Sequence, residues 1–96
     1  MIKHIVLWRI AENKEETAKL MKEKLEELKD KIDLIVDLQV GINYNESEAA
    51  SDIALVSTFK SREDLQAYIV HPEHVKVGAE YVRPNVSERR VIDYEF

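Results

Sequence analysis

Ile2-Lys-His-Ile-Val-Leu-Trp-Arg-Ile10 is the stretch on which the reading of the fold turns. β-Branched and aromatic residues crowd it, so it reads as a strand. Alternation puts Ile2, His4, Val6 and Trp8 on one face and Lys3, Ile5, Leu7 and Arg9 on the other. Both faces are apolar at the middle. A strand wet on one side would not need that, so we expect a central strand covered on both sides.

The rest of the chain supplies its neighbours. Asn13 to Lys31 reads as a helix: Asn13 and Glu16 form a capping-box pattern, acids fill the first turn and lysines gather near the end. Leu20, Met21, Leu25, Leu28 and Ile32 make its apolar stripe. Its many Glu and Lys residues read as a solvated face. Leu34 to Tyr44 alternates like an edge strand buried on one face, with Gly41 as the expected site of a bulge. Asn45 to Ser51 is a polar loop. Asp52 to Lys60 is a third strand, with Ile53, Leu55 and Phe59 opposite Ala54, Val56 and Thr58. Ser61-Arg-Glu-Asp64 starts a second helix with Leu65, Tyr68 and Ile69 on one face. Arg83-Pro84-Asn85 is a breaker, and Val86 to Phe96 closes the chain as a strand.

Between the second helix and that breaker lies Tyr68-Ile-Val-His-Pro-Glu-His74. Pro72 removes a backbone donor and disfavours a helical His71, so one helix should stop near Val70. Proline also suits the first position of a helix, so another should begin at Pro72 and run through Val75 and Val77. His74 then falls in a first turn, whose field disfavours the imidazolium and keeps the ring neutral.

The element order, βαββ, a broken helix and β, predicts an α+β fold. Its four-stranded antiparallel sheet would carry the helices on one face, joined by right-handed crossovers. That leaves Ile5, Leu7, Ala54 and Val56 exposed together, more apolar surface than a soluble monomer usually tolerates. A homodimer packed through that face resolves the conflict.

Composition narrows the function. Ninety-six residues suit one domain over 1–96. Charged residues make up 34% and apolar ones 45%, and 14 basic against 19 acidic side chains leave a formal charge of −5. No basic stripe appears, so nucleic acid is not an expected partner. The lack of cysteine removes thiol nucleophiles and zinc–thiolate sites. No apolar run approaches the roughly 20 residues of a membrane span. Met1-Ile-Lys-His-Ile does not read as a signal peptide, so a cytoplasmic location is the expectation.

Three separated pieces now match one family. Lys3-His-Ile-Val-Leu, Tyr68-x-x-His71-Pro-x-His74 and Val91-x-Asp-Tyr resemble the stress-responsive dimeric α/β-barrel (Dabb) domain over nearly the whole chain. The resemblance implies a ferredoxin-like subunit whose sheet packs face to face with that of a partner. In this family olivetolic acid cyclase closes a polyketide without a cofactor. Its catalytic tyrosine and histidine match Tyr68 and His74, a pocket histidine matches His4, and the aspartate orienting the base matches Asp93. The sequence departs from that cyclase at Ile53, which replaces a histidine, and at Trp8, which replaces a smaller aliphatic residue.

The candidate catalytic set is therefore Tyr68, His74 and Asp93. A proton acceptor, a partner to fix its tautomer and an acid near a carbonyl oxygen suit that chemistry. His4, Val6, Trp8, Leu55 and His71 form the candidate binding set. A carboxylate among apolar strand residues needs a partner, and His74 is the expected one for Asp93. Each residue also has a structural reading: His74 as a bonded core residue, His71 as a junction residue and Trp8 as packing. His71-x-x-His74 with Asp93 is too weak a pattern to assign a metal, and no cofactor is expected. The leading expectation is a small apolar pocket per subunit that binds a hydrophobic or aromatic molecule. Cofactor-independent cyclisation or a monooxygenase-like reaction is the enzymatic alternative, and a purely structural dimer the third. A cavity able to hold a ring separates the first two from the last.

Overall fold

The computed structural model describes residues 1–96. Strand β1 (Ile2–Ile10) is followed by helices α1 (Lys14–Glu26) and α2 (Leu28–Lys31). Strands β2 (Asp37–Ile42) and β3 (Ile53–Phe59), helices α3 (Arg62–Ile69) and α4 (Pro72–Val77), and strand β4 (Val86–Glu95) complete the chain. A π-helical segment, Gly78–Val82, and a 3-10 turn, Arg83–Asn85, join α4 to β4. All strand pairs are antiparallel in the order β2-β3-β1-β4, so the fold is α+β and ferredoxin-like, with β1 inside the sheet. No helix is long and apolar enough to cross a membrane.

The period-two pattern of β1 sets the layers. Ile2, His4, Val6, Trp8 and Ile10 are all buried beneath the helices, beside Ile53, Leu55 and Phe59 of β3. Across from them α1 and α2 bury Ala18, Met21, Leu25 and Leu28. Ile32 and Ile35 extend this row into the core. Spacings of three and four residues keep that row on one side of the helices. Leu20, expected in the stripe, is 39% exposed, because it sits one residue round from Met21. Lys22 Nζ donates to the Val40 carbonyl at 2.6 Å and ties α1 to the edge strand β2.

Several local expectations are corrected. Asn13 precedes α1 but adopts a left-handed backbone, φ 52°, and its side chain makes no cap bond. A capping side chain works from extended backbone, so the capping box does not form. The expected single helix to Lys31 is divided at Glu27, where Asp30 N donates to the Glu27 carbonyl at 3.2 Å, three residues back. Such bonds tighten a turn and break the register of a helix. Gly41 pairs with Ala54 in unbroken register, and the sheet's irregularity lies instead at Arg9/Ile10 opposite β4.

The other face of the sheet carries no helix. Ile5 lies between Val56 and Ile92, and Leu7 lies beside Ala54. Leu7 is 37% and Ile92 58% exposed, and a side chain added at Gly41 would meet nothing within 4 Å.

Candidate functional site

The break at Pro72 builds one wall of the site. Ser61 caps α3 by accepting the Asp64 N–H at 3.1 Å, and the helix runs to Ile69 before Val70 closes it. His71 is extended, and its Nδ1 accepts the Glu73 N–H at 3.1 Å, capping α4. That role occupies His71, and it does not line the cavity described below, contrary to its place in the expected binding set. Pro72 takes the first helical position, where no donor is needed.

His74 lies in the first turn of α4, and its Nδ1–H donates to the Ile69 carbonyl at 2.9 Å. This carbonyl belongs to the last turn of α3, which has no helical donor of its own. The bond fixes the tautomer and leaves Nε2 as an acceptor. Burial holds the imidazole below its ordinary value, and the nearby charges of His4, Arg89 and His71 push the same way; the bond to Ile69 opposes them. The neutral ring is thus explained first by burial rather than by the helix start.

Tyr68 stands between the two layers. Its ring centroid is 4.4 Å from His74, 4.9 Å from Phe59 and 6.2 Å from His4. It is 1% exposed, and burial raises its phenol well above the usual range, so the hydroxyl keeps its proton. Tyr68 therefore offers a donor.

Asp93 does not meet His74. It stands opposite His4 in the β1–β4 register, and its Oδ1 accepts the His4 Nδ1–H at 2.5 Å. The expected pairing fails because Asp93 reaches sideways along the sheet, while Ile69 already occupies the Nδ1 of His74. His71, His74 and Asp93 are likewise not gathered, and no cluster of three or more His, Cys, Asp or Glu residues could hold a metal ion.

These elements enclose a cavity of about 320 Å³. Val6, Trp8, Leu55, Leu25 and Val82 give it apolar walls, and His4, Tyr68 and His74 face it at one end. The indole Nε1–H of Trp8 is buried without a hydrogen-bond partner. Of the expected residues, His4, Val6, Trp8, Leu55, Tyr68 and His74 line this space, and Asp93 acts on it through His4. Sequence reasoning missed Arg83 and Arg89, which line it too. Arg89 was within reach of that reasoning, since it shares a face of β4 with Val91 and Asp93. Arg83 depends on the π-helical segment before it, which has no sequence signal here.

Comparison with known proteins adds kinship to this geometry. Residues 2–96 match the Stress responsive A/B Barrel Domain (Dabb). The Stress-response A/B barrel domain-containing protein DABB1 of Arabidopsis thaliana is 33% identical over 85 residues, covering 83% of this chain and 40% of that protein. The chain therefore spans well under half the length of that relative. A solved dimeric protein of unknown function and ferredoxin-like fold from Bacteroides fragilis is 36% identical, with a TM-score of 0.88 over 99% of this chain and 95% of that one. The hydroxynitrile lyase of Passiflora edulis is 19% identical, with a TM-score of 0.83 over 97% of this chain and 90% of its own. At that identity the likeness is one of fold alone.

Proposed function

This chain belongs to the stress responsive A/B barrel domain family, and from that premise we propose a homodimer whose subunits each bind one small planar apolar molecule carrying a carbonyl or phenol oxygen. The observation that carries the reading is a mismatch of polarity inside the cavity. Its walls are largely apolar, yet the Tyr68 hydroxyl makes no hydrogen bond within the protein. An unpaired buried donor costs about 1–3 kcal/mol, which a ligand oxygen would recover. The aromatic rings of Trp8, Tyr68 and His74 at the cavity suit a planar aromatic occupant. Cavity space beside the buried Trp8 and Tyr68 favours binding over a purely structural role. The dimer follows from the uncovered face around Ile5, Leu7, Ala54, Val56 and Ile92, and the related Bacteroides fragilis protein is dimeric. Titration calorimetry with acetylnaphthalene, a planar apolar ketone, tests the cavity. Saturable binding that weakens in Tyr68→Phe is expected, and no binding at the solubility limit defeats the proposal.

One observation favours a catalytic second reading. The unprotonated Nε2 of His74 and the Tyr68 hydroxyl belong to rings 4.4 Å apart, a base and an acid suited to taking a proton from the carbon beside a ligand carbonyl. The Tyr68 hydroxyl, which keeps its proton, would donate to the oxygen of the developing enolate. Acetylnaphthalene in heavy water should then exchange its methyl protons faster with the protein than with His74→Gln. Equal rates leave only binding.

A further inference from the structure

Two cations at the cavity lack counter-ions. Arg83 and Arg89 line it, both are exposed, and neither forms an ion pair. The acids of β4 are engaged elsewhere. Glu88 holds Arg9 and Arg90, Asp93 holds His4, and Glu95 holds Arg62. No aspartate or glutamate lines the cavity. In a chain of net charge −5, this space has cationic side chains and no carboxylate of its own.

We propose that the natural ligand is an aromatic carboxylate whose anionic group is held by Arg83 and Arg89, while its ring lies against Val6, Trp8 and Leu55. The proposal rests on the reading above that the cavity binds a small planar molecule, and it adds the charge that molecule carries. β1 sets the arrangement. His4 faces Asp93 and Trp8 faces Arg89, four residues apart in the same register. Four strand residues span about 13 Å, the scale of a two-ring body with a polar group at each end. Guanidinium groups bind carboxylates through paired, charge-assisted hydrogen bonds, and an apolar cleft carrying one sign of charge concentrates the opposite ion.

Naphthoate and acetylnaphthalene have nearly the same shape and differ in charge, so calorimetry with both on the intact protein isolates the anion. At low salt the wild type should bind naphthoate roughly tenfold more tightly, with the preference shrinking as salt rises. Arg83→Gln with Arg89→Gln should bring the two affinities close together by weakening naphthoate more than acetylnaphthalene. Arg62→Gln, which removes an arginine paired with Glu95, should keep the preference. Equal wild-type affinities, or a preference that survives the double substitution, overturn the anionic ligand while the cavity reading stands. If neither compound binds, both readings fall together.

Discussion

Asp93 accepts the Nδ1–H of His4 from the strand position directly opposite it. The carboxylate expected beside His74 therefore serves the other imidazole. Each ring has its Nδ1 committed, His4 to a side chain and His74 to the Ile69 carbonyl, and each turns its remaining nitrogen elsewhere. Two histidines from opposite layers are thus fixed as the same tautomer by unlike partners.

That asymmetry predicts different outcomes for two substitutions at Asp93. Asn keeps an oxygen that accepts from His4, whereas Ala leaves a donor on a residue only 4% exposed without a partner. Asp93→Ala should cost about 1–2 kcal/mol, toward the low end because the aspartate side chain is 44% exposed and water can replace it. Asp93→Asn should cost less than half of that. Urea denaturation measures both, and equal losses would show that the carboxylate charge matters rather than the acceptor.

The uncovered sheet face makes its own prediction. Leu7→Asp puts a charge between Ala54 and Arg90, at the centre of the proposed seam. Arg90 is already held by Glu88, so a charge buried there costs several kcal/mol and the variant should sediment as monomer or aggregate. Gly41→Ala provides a gentler probe, since a Cβ there meets nothing within 4 Å in one subunit. It should weaken association and leave subunit stability unchanged. A wild type that sediments as a monomer at micromolar concentration defeats the dimer.

His74 should also leave a pH signature. Its folded value lies below the ordinary 6.5, so between those two values the unfolded chain binds more protons than the folded one. Stability should fall as pH drops through 6.5 and level off below the folded value, with no contribution above. His74→Gln removes this contribution. Urea denaturation from about pH 7.5 to about pH 5.5 should therefore show a shallower loss in the variant than in the wild type. Parallel losses would mean that the burial of His74 does not set its protonation.

How much of this was legible depended on the range of the signal. The two apolar faces of β1 placed it inside the sheet, because alternation is a property of the strand alone. Pro72 marked the junction of α3 and α4 for the same reason: a missing N–H acts on its own turn. The partner of Asp93 was not legible. It depended on the β1–β4 register, which sets Asp93 opposite His4, and on the Ile69 carbonyl having already claimed His74. Asn13 carried the right residue for a cap and the wrong backbone angle, which the turn from β1 imposes. Arg83 carried no motif, and only the fold brings it to the cavity, whereas Arg89 shares a strand face with Asp93 and could have been read from alternation.

Tyr68 separates stability from binding most cleanly. A buried tyrosine usually has a partner for its hydroxyl, and replacing it with phenylalanine then costs stability. Here the ring is packed by Phe59 and His74 while the hydroxyl makes no bond within the protein. Tyr68→Phe keeps the ring, its contacts and its volume, so unfolding should change by less than about 0.5 kcal/mol. Affinity for acetylnaphthalene should fall by about 1 kcal/mol, the net worth of one neutral hydrogen bond. Tyr68→Ala would open a void beneath α3 and should destabilise by about 3–5 kcal/mol, so it cannot report on the hydroxyl. Calorimetry and denaturation on the phenylalanine variant should therefore disagree, one moving and one still. If both move together, the hydroxyl has a structural partner and is not held free for a ligand.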